Sequence, residues 1–284
     1  MIPRGQRTGK VGNVVERRLE KALARHAVQI VRPLATTAAA ELHEVRRDDR
    51  RAILKLWPQG HAGNEAAGVR LMQAWAGPHM VAILGAGPDS VLMEALDGPS
   101  LGDLSRQGRD AEACRLLAET ARALHATRPQ IADLPTVGVW FERLFAVPLD
   151  TCPASLRRDM TRAQALARGL IATTAQPVPL HGDLHHDNVN LTATGPKAFD
   201  AKGLTGDPAF ELANAIRNPK GIPATVRDPG RIAACLDTYA DALDVPRHRL
   251  AGWAAAKCAH SIAMRDKPAT DPEPDLLSAL LAET

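Results

Sequence analysis

The sequence predicts an α+β fold in two lobes, a small β-rich lobe followed by a larger helical one. Three observations predict it. Runs that alternate apolar and polar residues are confined to the part of the chain before Asp97. Beyond Asp97-Gly98-Pro99, which breaks that pattern, apolar positions recur at helical spacing. Between two helical stretches lies a polar loop, residues 180–188, rich in Asp, Asn and His. The lobes are therefore placed at residues 1–93 and 100–284, with a hinge at 94–99. A cleft between two such lobes is a common seat for a small-molecule site.

Taken in order, residues 14–28 carry Val15, Leu19 and Leu23 at helical spacing. Gln29-Ile30-Val31 and then residues 40–45 read as strands. Arg46-Arg47-Asp48-Asp49-Arg50-Arg51 reads as a solvated hairpin turn, and residues 52–57 as the returning strand. On that strand Ile53 and Lys55 share one face, while Leu54 and Leu56 share the other. A Lys within an apolar run calls for a partner. The bland alternative is an edge-strand Lys that discourages aggregation. Asn64 is placed to cap a helix carrying Glu65, with Val69, Met72 and Trp75 on its core stripe. Residues 80–84 and 91–96 read as two further strands. After the break, Ser100 caps a short helix. Helices then follow over 110–126, 139–145, 153–171, 208–217, 229–242, 247–265 and 274–282.

The polar loop carries the chemistry. In His181-Gly182-Asp183-Leu184-His185-His186-Asp187-Asn188, Asp183 is followed by Leu184, three more residues and Asn188. That is the D-L-x-x-x-N spacing of a kinase catalytic loop. Residues 188–191 and 197–199 read as a hairpin about Thr192-Ala193-Thr194-Gly195-Pro196, which returns Asp200 to the side of Asn188. Two oxygen donors, Asn188 and Asp200, suit Mg²⁺. Asp183 is left to act on an acceptor hydroxyl. A strand Lys followed by a helix Glu is the phosphate-holding ion pair of the same machinery, which gives Lys55 and Glu65 a role. These features predict a protein-kinase-like fold.

Other classes were weighed. A metal-dependent hydrolase would use His181, Asp183, His185 and His186, and leaves Lys55, Glu65 and Asp200 unexplained. A catalytically silent nucleotide-binding relative draws support from Ala35-Thr36-Thr37-Ala38-Ala39-Ala40, which lacks glycine where a kinase phosphate loop would stand. A protein kinase is disfavoured, because six residues between Asp200 and Asp207 leave no room for a long activation segment.

The chain resembles the aminoglycoside phosphotransferases, and among them the streptomycin and hydroxyurea phosphotransferase branch. The resemblance rests on His181 through Asn188 and on Asp200-Ala201-Lys202-Gly203-Leu204-Thr205-Gly206-Asp207-Pro208. It continues through Ala209-Phe210-Glu211-Leu212-Ala213-Asn214 and Arg217-Asn218-Pro219. It implies that Asp183 is the catalytic base and that Asn188 and Asp200 hold Mg²⁺. It implies that Lys55 binds the ATP phosphates, oriented by Glu65, and that backbone groups of Glu94 and Leu96 meet the adenine edge. Asp207 and Glu211 would brace the catalytic loop or touch the acceptor, a small hydroxyl compound such as an aminoglycoside or hydroxyurea. Glu211 stands where the wider family has Asp.

Composition agrees with a globular enzyme: 45% of the residues are hydrophobic and 24% charged, and no apolar run approaches a membrane span. A net charge of +3 does not argue for nucleic acid. Met1-Ile2-Pro3-Arg4-Gly5-Gln6-Arg7 reads as a basic tail rather than a secretory signal. Cys114, Cys152, Cys235 and Cys258 are widely separated, as in reduced cytoplasmic proteins. A monomer or weak homodimer is expected. After Lys267 come Asp271, Glu273, Asp275 and Glu283 with no basic residue. This tail reads as a solvated acidic end, or as a flank of the cleft that draws in a polycation.

Overall fold

The computed structural model describes residues 8–37, 39–150, 152–265 and 273–284. The basic tail, Ala38 and Asp271 lie outside the described residues. The first lobe runs α1 (Thr8–His26), β1 (Gln29–Thr36), β2 (Glu41–Arg47), β3 (Arg50–Leu56), α2 (Ala66–Ala74), β4 (Ile83–Ala86) and β5 (Ser90–Glu94). Its strands form one sheet in the order β1-β2-β3-β5-β4, with antiparallel pairing throughout.

The β2–β3 turn shows why this lobe folds as it does. Arg47 pairs with Arg50, and the two residues between them, Asp48 and Asp49, both have positive φ, 47° and 62°. A two-residue turn of this hand matches the twist of its strands, and Asp tolerates the conformation. The register then puts Ala52, Leu54 and Leu56 on one face, where they pack with Val45 and Leu92 beneath Ala22 of α1. Ile53 and Lys55 face the other way, toward the second lobe.

That lobe begins with α3 (Leu101–Arg106) and α4 (Asp110–Ala126), and continues with α5 (Val137–Trp140), α6 (Glu142–Ala146) and α7 (Ala154–Ala172). Four short strands follow: β6 (Val178–Leu180), β7 (Val189–Thr192), β8 (Gly195–Ala198) and β9 (Leu204–Gly206). The chain ends with α8 (Pro223–Val226), α9 (Pro229–Leu243), α10 (Arg247–Ala263) and α11 (Glu273–Ala282). Ser100 starts α3 through a capping box with Asp103, each side chain taking the other's backbone N–H. The core of the lobe is α10, buried along nearly its whole length, with Phe141, Phe210 and Trp253 packed edge to face at 5.3–5.8 Å.

Two glycines join the lobes at the place that matters for the site. A Cβ on Gly68 would lie 1.8 Å from the Ala201 carbonyl oxygen. One on Gly203, which has φ +70°, would lie 2.4 Å from the Ala67 carbonyl carbon. The start of α2 thus rests backbone on backbone against the segment that follows Asp200.

The structure departs from the sequence reading in three elements. Asn64 does not cap α2; it sits within a 3₁₀ turn, Gly63–Glu65, that has no side-chain cap. The strand expected at 80–84 begins only at Ile83, because Val81 N–H donates to Ala198 and Ala198 N–H to His79, drawing this segment onto β8. The helix expected at 208–217 is a 3₁₀ turn, Pro208–Phe210, followed by further turns with three-residue hydrogen bonds. Asp207, Glu211 and Asn214 direct their side chains to partners outside this segment, Trp253, the Gly182 N–H and Asp183.

His260 of α10 is buried beside the Phe141 ring at 5.1 Å, and its Nδ1 has no hydrogen-bond partner among the described residues. Burial, and then the charge of Lys257, push its pKa down to about 4 from 6.5. Its neutral form is therefore the one the fold stabilises. That contribution is complete above pH 6.5 and is lost as the pH falls toward 4. We expect urea unfolding of wild type to lose more stability between pH 7 and pH 5 than that of His260→Gln, by roughly 2 kcal/mol. Equal losses would show that His260 is charged without cost.

Candidate active site

A cleft of about 380 Å³ opens between the sheet and the β7–β8 hairpin. Its walls are apolar, with Leu42, Ile53, Val81, Met93, Leu96 and Phe199, and its inner end is charged. There Lys55 Nζ lies 2.6 Å from Glu65 Oε2 and 2.8 Å from Asp200 Oδ1. Each of the three comes from a different element: β3, the turn before α2, and the end of the β7–β8 hairpin. Burial lowers the Lys55 pKa, but Asp200 and Glu65 outweigh it and leave it raised. Asp200 is shifted the other way: burial raises its pKa, while Lys55 and Lys202 bring it below the ordinary value. Both groups are therefore held charged. Asp200 also has φ +60°, rare for a residue other than glycine and frequent at functional sites.

The polar loop of residues 181–188 leaves β6, which pairs with β9. His181 is fully buried, with Nε2 3.0 Å from the Phe199 carbonyl. Asn188 Nδ2 donates to the Asp183 carbonyl at 3.0 Å and closes the loop on itself. The Asp183 carboxylate accepts from Asn214 Nδ2 through Oδ1 at 2.8 Å, and Lys202 Nζ stands 3.9 Å from Oδ2. Behind it, Asn214 Oδ1 accepts from Arg217 Nη1 at 3.0 Å, and Arg217 is held by Ser261 and Glu273. A guanidinium can only donate. Asn214 must therefore turn its oxygen to Arg217 and its NH₂ to Asp183, which leaves Oδ2 without a hydrogen bond among the described residues. Burial raises the Asp183 pKa, and Lys257, His185 and Lys202 oppose it, so the carboxyl stays ionised.

Of the two roles expected of Asp207 and Glu211, bracing the loop or touching the acceptor, their burial favours the first. Asp207 is 3% exposed and is bonded to Trp253 Nε1, Arg249 and the Ala209 N–H. Glu211 is 1% exposed and accepts from the N–H groups of His181 and Gly182, with His125 Nε2 at 3.0 Å. Both are spent inside the fold, and Glu211 holds the start of the polar loop. The acidic tail is likewise paired rather than gathered into a groove: Glu273 with Arg217 and Arg265, Asp275 with Arg227, and Glu283 with Arg247.

Glu94 and Leu96 both line the cleft. The Glu94 carboxylate pairs with Lys197 at 2.7 Å and its backbone N–H donates to Ala82. The glycine-free segment is turned on itself, with Thr37 Oγ1 accepting from the N–H groups of Ala39 and Ala40. Those two amides are not offered to a phosphate. The histidines of the hydrolase reading do not converge either. His181 faces Phe199, His185 Nδ1 accepts from the Asp187 N–H, and His186 Nε2 faces Cys114 Sγ at 3.4 Å. Asp110, Cys114 and His186 do lie close together, but Arg231 already takes both oxygens of Asp110, at 2.7 and 3.2 Å.

Asn214, Arg217, Lys202 and Lys257 escaped the assignment of roles from sequence. The first three stand inside the motifs that carry the resemblance, but spacing alone gave them no task.

A small sheet lobe over a helical lobe, with Lys55–Glu65 facing the Asp183, Asn188 and Asp200 loop, defines a small-molecule kinase of the protein-kinase-like class. The sequence profile of the aminoglycoside/hydroxyurea antibiotic resistance kinases matches residues 25–268, and the chain belongs to that family. It is 34% identical over 230 residues to a streptomycin 3''-kinase of Klebsiella pneumoniae, covering 78% of this chain and 83% of that one. Solved structures share the fold at lower identity. One is a thermostable mutant of an aminoglycoside phosphotransferase, APH(4)-Ia, in ternary complex with ADP and hygromycin B. It matches with a TM-score of 0.66 at 14% identity over 93% of this chain and 97% of that one. Another is the choline kinase LicA of Streptococcus pneumoniae, with a TM-score of 0.65 at 13% identity over 94% and 99%.

Proposed function

We propose that the protein transfers the γ-phosphate of ATP to a hydroxyl of a small molecule, with Asp183 as the base. The observation that carries this reading is the ionised Asp183, held through Oδ1 by Asn214 and tied by Lys202, whose charge acts on both Asp183 and Asp200, to the Lys55–Glu65–Asp200 cluster. The nucleotide would lie in the apolar cleft. The Leu96 N–H makes no hydrogen bond among the described residues, which supports its pairing with the adenine edge. Lys55 would hold the α- and β-phosphates, kept in place by Glu65.

The donor set fits Mg²⁺. The amide nitrogen of Asn188 is committed to Asp183, so its oxygen is free; Asp200 uses Oδ1 on Lys55 and keeps Oδ2. Two hard oxygen donors beside a triphosphate are what this ion takes. When bound, it would offset the charge of the phosphates. Asp183 would accept the acceptor's proton as the hydroxyl oxygen bonds to the γ-phosphorus and ADP leaves. We take the lobes as 1–93 and 100–284 about a hinge at 94–99, and the enzyme as a cytoplasmic monomer or weak homodimer.

The 34% identical relative and the family make streptomycin and hydroxyurea the first acceptors to test. The purified protein should consume Mg-ATP in the presence of streptomycin, hydroxyurea or a simple polyol, and yield a product heavier by one phosphoryl group. Phosphorylation of proteins but of no small hydroxyl compound would overturn the reading.

A further inference from the structure

α10 carries Trp253, Lys257 and Ser261 on one face, because residues four apart stack along a helix. The outer two mark where this face looks. Trp253 donates to Asp207 at 2.8 Å. Ser261 accepts from Arg217 at 2.7 Å, and Arg217 in turn holds Asn214, the partner of Asp183. Lys257 lies between them and is 8% exposed. Among the described residues no carboxylate comes within ion-pairing distance of its ammonium. A lysine buried in this way is costly unless something compensates its charge. Burial pushes the pKa of Lys257 below its ordinary value, and the charge of Asp183 is the strongest that opposes burial. Lys202 stands on the same carboxylate, 3.9 Å from Oδ2. Glu273 pairs with Arg217 and Arg265 through Oε1, and its Oε2 has no hydrogen-bond partner among the described residues. Asp207 and Glu211 are committed to other partners through both oxygens.

We propose that Lys257 and Lys202 form an anion-binding subsite beside Asp183, which takes an oxyanion such as a phosphate or carboxylate group. Two ammonium groups, each with three rotatable donors, suit the oxygens of such a group. The oxyanion has two possible sources, the phosphoryl group in transfer or an acidic group of the acceptor. In either case the part of the acceptor that enters beside Asp183 does not carry an ammonium, since like charges would meet there. The proposal rests on the phosphotransfer reading of the site around Asp183.

Orthophosphate is the probe, titrated calorimetrically into the wild-type protein, Lys257→Met and Lys202→Met, each saturated first with Mg-ADP and then with Mg-AMP-PNP. Wild type should bind orthophosphate. Both variants should bind it about tenfold or more weakly, and Lys257→Met should keep its Mg-ADP affinity. Lys257→Met removes a buried charge and keeps the length of the side chain, so its fold should survive; Lys257→Gln serves as a second variant. Binding in the AMP-PNP complex would assign the subsite to an acidic group of the acceptor. Binding with ADP alone would assign it to the transferred phosphoryl group. Wild type that binds Mg-ADP but no phosphate, or a Lys257→Met protein that binds phosphate as wild type does, would overturn the subsite. Wild type that fails to bind Mg-ADP would overturn the kinase reading, and the subsite with it.

Discussion

Asp183→Asn is expected to keep Mg-ATP binding and to lose about 10²–10⁴-fold of phosphoryl transfer, the usual contribution of a positioned general base. The substitution changes little but the base. Asn214 Nδ2 donates to Asp183 Oδ1 at 2.8 Å, and the new amide oxygen can take that bond unchanged. Its NH₂ then falls where Oδ2 was, 3.9 Å from Lys202, and offers a donor where an acceptor hydroxyl needs a proton taken away. The cleft is lined by Lys55, Glu65 and Asp200 but not by Asp183, so the change leaves its lining as it was. Turnover and nucleotide affinity measured on the same folded preparation separate the two effects. Near wild-type turnover would remove Asp183 from the role of base. Loss of nucleotide binding would mean that Asp183 shapes the site rather than acting in it.

The sequence was legible where chemistry is written in short spacing or in alternation. Asp183 and Asn188 share one loop, and a two-strand hairpin is enough to bring Asp200 to them, so their meeting can be read from local turn signals. Lys55 was marked by its place in an apolar strand and Glu65 by the strand-Lys, helix-Glu pattern, while the pairing of Lys55 with Asp200 was not read from the sequence. The residues that escaped are those whose partners lie far along the chain. Asn214 contacts Asp183 across 31 residues, and Arg217 contacts Ser261 across 44. Nothing in the Ala213-Asn214 or Arg217-Asn218 pairs announces this. The reading of 208–217 as a helix failed for the same cause: its apolar spacing is real, but long-range side-chain bonds override the propensity. The acidic tail misled because charge in a sequence says nothing of pairing. Glu273 looked like part of a solvated end and is in fact 9% exposed and bound to Arg217.

Glu211→Gln is expected to cost about 3–5 kcal/mol of stability, as when one member of a buried charge-assisted cluster is removed, and to depress transfer as well. Each carboxylate oxygen has its own donor: Oε1 takes the Gly182 N–H at 3.0 Å, and Oε2 takes the His181 N–H at 2.9 Å, with His125 Nε2 3.0 Å away. Glutamine has one oxygen, so whichever way its amide turns, one backbone N–H meets an NH₂ with no water to relieve it. These two backbone groups begin the catalytic loop, so the error moves directly into the position of Asp183. The same geometry explains the departure at this position from the Asp of the wider family. With the backbone of Glu211 placed as it is, the extra methylene carries the carboxylate across to two successive amides and to His125 of α4. Glu211→Asp should therefore fall between wild type and Glu211→Gln, keeping the charge but reaching fewer donors. Urea unfolding at neutral pH, read beside the transfer rate for both variants, decides the matter. A Glu211→Gln protein as stable as wild type would show that the carboxylate is not what holds the loop.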